Sequence, residues 1–120
     1  MPKKRFSHEL PKMNVEEGMP SLAEATLRMN QFINQSQHAG VRVIKIIHGY
    51  GSSGVGGRLR NGLRQELMKR KQNGKIKDLI PGERFGVNED TILYLHQYTQ
   101  LKVDPDFSMN NPGITVIILY

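Results

Sequence analysis

The sequence contains no cysteine, few aromatic residues and no long apolar run. Without cysteine, neither a disulfide framework nor a thiolate metal site is available, and the composition suits a reducing compartment. The basic start of the chain is not followed by an apolar segment of signal-peptide length, and no segment is long enough to cross a bilayer. We therefore expect a cytoplasmic protein. An aromatic content of 7% is too low for an extended base-stacking platform.

The 120 residues, of which 38% are hydrophobic, are enough for one core of ordinary size. Residues 1–11 have the composition of a basic flexible tail, and residues 12–120 are expected to form a single domain. Within that domain, residues 85–112 have the weakest pattern and are predicted to be a less regular insertion before the last strand.

Apolar periodicity predicts an alternation of strands and helices. One helix begins at the capping box Ser21 to Glu24 and ends at Gly40, and a second carries Leu59, Leu63 and Leu67 on one side and ends at Gly74. A short helix from Asn88 to Tyr98, with Ile92 and Leu95 buried, is favoured over a strand in the same region. Strands are predicted at residues 12–15, 41–47, 76–80 and 114–120.

The order of these elements indicates an α/β fold in which right-handed crossovers make the first three strands parallel. The last strand is too apolar to have one face in water, so we expect it to be central and covered on both sides.

Positive charge is concentrated in one segment. The chain has a net charge of +6, and residues 55–77 contain eight basic residues against Glu66 alone. Such a patch attracts phosphate polymers or anionic lipid, and composition alone does not choose between them. A membrane surface is disfavoured because the basic helix lacks exposed aromatic residues for insertion. The basic residues are Arg58, Arg60, Arg64, Lys69, Arg70, Lys71, Lys75 and Lys77.

The glycine-rich stretch before this basic helix has the spacing Gly49-x-Gly51-x-x-Gly54. Although this spacing occurs in dinucleotide-binding proteins, here it follows the second strand of a chain too short for two mononucleotide-binding halves. No Lys-Ser or Lys-Thr pair closes the stretch, so it is not a Walker loop. Bare backbone amides at a helix N-terminus nevertheless favour a bound phosphate.

The stretch VRVIKIIHGYGSSGVGGRLRNGLRQ resembles the central signature of the Smr (small MutS-related) domain family: a strand, His-Gly-x-Gly, a glycine-rich loop and a helix opening with Leu-Arg. The matching residues are His48, Gly49, Gly51, Ser52, Leu59 and Arg60. GMPSLAEA, IKDLIPGERF and NPGITVIIL resemble the turn into the family's first helix, its third strand and its last strand.

The resemblance implies a two-layer α/β sandwich with two main helices and a mixed four-stranded sheet of order 1-2-4-3, similar to the C-terminal domain of bacterial initiation factor 3. It also implies binding of DNA or RNA, because Smr domains are associated with nucleic acids and several are nicking or structure-directed endonucleases.

The chain departs from the family pattern at the first strand. The family has Leu-Asp-Leu-His-Gly there, whereas this chain has Asn14 in place of the acid, Glu16 or Glu17 in place of the histidine, and one additional residue. Phosphodiester cleavage requires a base or a metal to prepare the nucleophile, and cations to hold the developing charge. The sequence requires no cofactor, and Mg²⁺ or Mn²⁺ is considered only for a nuclease. Glu16, Glu17 and Glu83 could then gather a divalent cation at the C-terminal edge of the sheet, although ordinary surface glutamates are the simpler interpretation.

His48, Glu16 and Glu17 are the candidate catalytic residues. For a phosphate backbone, the candidate contacts include Tyr50, which can also stack on an unpaired base. We expect recognition of backbone and shape, with branched or single-stranded DNA or RNA as the partner and no membrane partner, and the oligomeric state is open. The candidate nucleic-acid-binding residues are His48, Gly49, Tyr50, Gly51, Ser52, Arg58, Arg60, Arg64 and Lys71.

Three hypotheses follow: a nucleic-acid-binding Smr protein with weak structure-specific or nicking endonuclease activity, a binding module without the chemistry, and a small-molecule phosphate or nucleotide site in the loop from Gly49 to Gly57.

Overall fold

The computed structural model describes residues 10–50 and 55–120. The candidate residues Gly51 and Ser52 and most of the predicted tail lie outside the described residues. The helices and strands are β1 (Lys12–Asn14), α1 (Leu22–His38), β2 (Val43–Ile47), α2 (Val55–Gln72), β3 (Asp78–Pro81), α3 (Glu89–Leu95) and β4 (Ile114–Ile118). Two short 3₁₀ turns, Gly82–Arg84 and Thr99–Leu101, lie between them.

The four strands form one mixed sheet of order β1-β2-β4-β3, which confirms the predicted order. β1 and β2 are parallel, and β4 runs antiparallel to both β2 and β3, so the first three strands share one direction. All five residues of β4 are buried, as expected of a central strand.

β3 begins and ends later than the predicted range of residues 76–80. Pro81, which was expected to follow the strand, is instead its last residue and pairs with Thr115. Proline is tolerated there because β3 is an edge strand of the sheet.

Both long helices begin or end where the sequence predicted. At the start of α1, the Ser21 hydroxyl accepts a hydrogen bond from the Glu24 amide, and the Glu24 carboxylate accepts one from the Ser21 amide. Gly40 and Gly74 follow α1 and α2 with φ values of 78° and 72°. A side chain at Gly62 of α2 would collide with Leu22 of α1, so the two helices lie close together there.

Apolar side chains fill both faces of the sheet. On one face, α1 contributes Met29 and Ile33 and α2 contributes Leu59, Leu63 and Leu67, which are all buried against the sheet. Phe85, Leu95, Tyr98 and Leu101 cover the opposite face, so the segment predicted to be an irregular insertion provides the second half of the core. Leu10, which the sequence placed in the tail, also packs into the apolar cluster on this face, and its amide donates to the Asp104 carboxylate.

α3 is shorter than predicted, ending at Leu95. Asn88 caps it as expected, since its side chain accepts a hydrogen bond from the Asp90 amide. Leu95 is buried as predicted, but the prediction for Ile92 is wrong, because 48% of this side chain is exposed. The residues that face the core are Thr91 and Leu95, one turn apart.

A buried ion-pair cluster fixes the irregular segment to the centre of β2. Lys45, only 2% exposed, donates to Asp104 over 2.9 Å and to Asp106 over 2.7 Å. Burial lowers the pKa of Lys45, but the two carboxylates outweigh this effect, so its pKa lies above the ordinary value. The ammonium group therefore stays charged and holds residues 104–106 against the sheet. None of the helices in the described part of the chain could span a membrane.

Candidate nucleic-acid interface

The candidate site lies at the edge of the sheet where β1, β2 and β3 end and β4 begins, which we call the carboxyl edge. His48 and Gly49 continue directly from β2, and both of their amides donate to the Gly113 carbonyl, at 2.9 Å and 3.1 Å. The chain at Gly49 is therefore fixed against the residue that precedes β4. Ligands of open α/β sheets commonly bind at this edge.

His48 is completely buried, and both of its ring nitrogens have hydrogen-bond partners. Nδ1 lies 2.7 Å from the Gly49 carbonyl oxygen, and Nε2 lies 2.8 Å from Oγ1 of Thr115. Because a carbonyl can only accept, Nδ1 carries the proton in the neutral ring, and Nε2 accepts from the Thr115 hydroxyl.

Arg64 extends this arrangement from α2. Its Nε donates to Oγ1 of Thr115 over 2.9 Å, so this hydroxyl accepts from arginine while it donates to histidine. The two terminal nitrogens of Arg64 donate to the two carboxylate oxygens of Glu83, at 3.0 Å and 2.8 Å. Nη2 also donates to the Ile114 carbonyl over 3.0 Å. A continuous chain of hydrogen bonds therefore runs from Gly49 through His48, Thr115 and Arg64 to Glu83, and we call it the edge relay.

Electrostatics keep the histidine of this relay neutral. Burial, followed by the positive charges of Arg64 and Arg60, lowers the pKa of His48 to about 4, although its hydrogen bond to the Gly49 carbonyl acts in the opposite direction. For Glu83, the hydrogen bonds from Arg64 lower the pKa more than burial raises it. At neutral pH, the edge relay therefore contains a neutral imidazole, a guanidinium and a carboxylate.

Glu16 is the candidate carboxylate that lies beside the histidine motif. Gly49 has a φ of 77°, and a side chain at this position would collide with the Glu16 carboxylate, so Glu16 lies across bare backbone. Asn14, at the position of the family's acid, accepts a hydrogen bond from the Glu16 amide over 2.9 Å and shapes this turn. Glu17 is not part of this arrangement, because it is exposed and lines a groove between β1 and α1 beside Arg28.

The candidate cations are divided between the two ends of the sheet. Arg58 and Arg60 lie in the N-terminal half of α2, and Arg64 lies at its middle with its side chain at the carboxyl edge. Lys71 instead forms an ion pair with Asp78 over 2.9 Å at the start of β3, the opposite end of that strand. The structure therefore brings Arg60 and Arg64 together beside the edge relay, places Arg58 on the exposed face of the same helix, and separates Lys71 from them.

Arg60 differs from Arg64 in having an unsatisfied donor. Its Nε atom is buried and has no hydrogen-bond acceptor in the structure. Its charge lowers the pKa values of both His48 and Glu83, which places the guanidinium close to the edge relay. A buried cationic donor without an acceptor is costly, and such a group suits an anionic ligand.

The described residues do not fit a divalent cation. Among them, no group of three or more histidine, aspartate or glutamate side chains is arranged to hold a metal ion. Near His48, Glu83 is committed to Arg64 and the histidine nitrogens are both occupied. The Mg²⁺ or Mn²⁺ considered for a nuclease therefore has no ligand set in the described part of the site.

Sequence reasoning missed Thr115, which joins the two halves of the edge relay. In the sequence, Thr115 stands out only as a hydroxyl residue in an otherwise apolar strand. In the structure, its side chain faces α2. Threonine is common in strands for its β-branched shape alone, so the sequence could not distinguish a bridging hydroxyl from an ordinary strand residue.

Comparison with known proteins identifies the family to which the chain belongs. A family model described as the Smr domain matches residues 17–84, which is more than half of the chain. The chain belongs to the Smr domain family. The match includes β2, the His48 motif, α2 and Glu83, and it ends before residues 85–112.

Two similar proteins illustrate the relationship. Endonuclease MutS2 of Aquifex aeolicus (strain VF5) is 34% identical over 71 residues, which are 59% of this chain and 8% of that protein. The chain thus spans less than a tenth of this relative's length. The crystal structure of the Smr domain of Thermus thermophilus MutS2 matches with a TM-score of 0.59 and 18% identity over 92% of this chain and 99% of that one. At this identity, the second match supports the fold alone.

We predict that Thr115→Val destabilises the protein, because valine keeps the shape of the side chain but leaves the buried Nε2 of His48 without a donor. The expected loss in the free energy of unfolding is about 1–3 kcal/mol, measured by urea denaturation at pH 7. Thr99→Val, at an exposed position in the second 3₁₀ turn, is the matched control and should change stability by less than about 0.5 kcal/mol. Equal effects of the two substitutions would contradict a bridging role for Thr115.

Proposed function

We propose that this chain binds DNA or RNA beside its carboxyl edge, with the phosphate backbone lying over the N-terminal half of α2. The observation that carries the proposal is the buried, unsatisfied Nε of Arg60 beside the His48 motif in a chain of the Smr family. Because Arg60 is only half-buried and its guanidinium makes no hydrogen bond to the described residues, its outer nitrogens can donate to a phosphate oxygen, which the N-terminal end of the helix favours further.

The proposed roles of the arginines differ. Arg58 is exposed in the first turns of α2, and Arg60 has an unused donor, so both can contact phosphate. Arg64 is largely committed to Thr115, Glu83 and the Ile114 carbonyl, which makes it a positioning residue that fixes the edge. Phosphate contacts of this kind carry no sequence information directly, so we propose recognition of backbone and shape.

Phosphodiester hydrolysis is the second candidate, favoured by the Glu16 carboxylate lying against Gly49 next to His48. Against it, His48 is buried and neutral, and its nitrogens are both occupied. A general base must reach the nucleophile through a free nitrogen, and a pKa of about 4 is far below the value suited to neutral pH. We therefore propose binding as the principal activity.

The binding proposal predicts a position-dependent salt effect. Fluorescence anisotropy would measure the affinity for a labelled single strand, a duplex and a four-way junction from 50 to 300 mM salt. Losing two phosphate contacts in the double variant Arg58→Ala/Arg60→Ala should reduce the slope of log affinity against log salt by about one to two. The control, Lys69→Ala/Lys75→Ala, removes the same charge far along α2 and beyond its end, more than a screening length from the edge.

Identical slopes for the two double variants would remove the carboxyl edge from the proposal. If mononucleotides raised the melting temperature while no oligonucleotide bound, the small-molecule phosphate site would replace it.

For hydrolysis, we predict that purified wild-type protein leaves supercoiled plasmid intact, with and without Mg²⁺ or Mn²⁺, because no described base or metal ligand set can prepare the nucleophile. Glu16→Gln and His48→Ala variants would be assayed beside it. Nicking by wild type that Glu16→Gln abolishes would overturn this prediction and make the protein an endonuclease, whereas nicking that survives both substitutions indicates contamination.

A further inference from the structure

A groove of about 500 Å³ opens beside the carboxyl edge, next to Tyr50. Its other walls come from the connection that leads into β4, including Pro105, Met109, Asn110 and Pro112. Because Tyr50 follows Gly49 directly, the groove lies at the same edge of the sheet as the surface proposed to hold the phosphate backbone. These walls, apart from Tyr50, lie outside the residues matched by the Smr family model.

The Tyr50 ring is held at one edge and exposed elsewhere. Gly113 permits this position, because a Cβ atom there would lie only 3.1 Å from Cδ1 of Tyr50. The side chain remains 55% exposed, and Met109 is 65% exposed across the groove. Rigid aromatic side chains supply a large contact area at low entropic cost, and a flat exposed ring is a suitable surface for stacking.

The polar groups of the groove divide into structural and free ones. Asn111 uses its side chain within the loop, donating to Asp106 over 3.1 Å and accepting from the Gly113 amide over 2.9 Å. Asp106 is also paired with Lys45, which lowers its pKa despite burial and compensates its charge. Asn110 is exposed, and its side chain makes no hydrogen bond to the described residues. Its amide offers both a donor and an acceptor.

We propose that this groove is a subsite for one unpaired nucleobase, stacked on Tyr50 and Met109 and hydrogen-bonded at its edge by Asn110. The inference rests on the proposed function and adds to it a preference for single-stranded or locally unpaired nucleic acid. A flat apolar wall with a free amide matches a base, which has an apolar face and a polar edge. In a duplex the base is stacked and paired, so it cannot enter without being flipped out.

The test compares Tyr50→Leu with Tyr120→Leu, a substitution of a similarly exposed tyrosine just beyond β4, at the opposite end of the sheet. Loss of the ring at Tyr50 should weaken binding to a single-stranded oligonucleotide by about tenfold, the lower range for one stacked base. Tyr50→Phe should retain the wild-type affinity for the single strand, and all three tyrosine variants should bind the duplex as the wild type does. A 2-aminopurine base in the oligonucleotide should be quenched by wild type and not by Tyr50→Leu.

Equal single-strand affinities for Tyr50→Leu and Tyr120→Leu, with melting temperatures matching wild type, would overturn the inference. If wild type still binds oligonucleotides with a salt slope that depends on Arg58 and Arg60, that result removes the base subsite alone. If the wild type binds no oligonucleotide, both the proposed function and the base subsite fail. A Tyr50→Phe variant as weak as Tyr50→Leu would assign the effect to the hydroxyl and contradict stacking.

Asn110→Ala should reduce discrimination among the four homopolymers, and unchanged discrimination would remove Asn110 from the subsite.

Discussion

The hydroxyl of Thr115 is the contact on which the geometry of the carboxyl edge depends. It donates to His48 and accepts from Arg64, so it connects the end of β2, the start of β4 and the middle of α2 through one oxygen atom. Since Arg64 also binds Glu83 just beyond β3, three strands and a helix are fixed relative to one another. The His48–Thr115 centre of this network is buried and fully satisfied, so it holds its members in one arrangement and is costly to break.

This arrangement changes the meaning of the histidine motif. Histidine next to glycine at a strand end first suggests a catalytic base, but here the ring is a neutral connector whose Nδ1 proton fixes the Gly49 carbonyl. The bare backbone of Gly49 is consequently held in place, with the Glu16 carboxylate lying across it. The polar groups of the edge are therefore already paired with one another, which does not suit proton transfer and leaves the Arg60 guanidinium for the proposed contact with phosphate.

The fold was largely predictable from the sequence, because its signals are local. The capping box at Ser21, the leucine spacing in α2 and the apolar run of β4 each determine their element without distant contacts. The role of residues 85–112 was not predictable, since it depends on Lys45, a charged residue in an apolar strand that binds Asp104 and Asp106 about sixty positions away. For the candidate site, the sequence predicted His48, Arg60 and Arg64 as contacts, and that role stays a prediction. The sequence could not show that Glu83 and Thr115 bind the guanidinium of Arg64, because those contacts exist only after the strands have paired.

The protonation state of His48 tests this account most directly. Long-range ¹H–¹⁵N spectra of the wild-type protein, recorded from pH 7 down to pH 4, distinguish the two neutral tautomers from the imidazolium. The account predicts a neutral ring protonated at Nδ1 at pH 7, with titration near pH 4 because the pKa is lowered to about 4. A ring protonated at Nε2, or titration near the ordinary value of about 6.5, would show that the edge relay does not hold His48 as described.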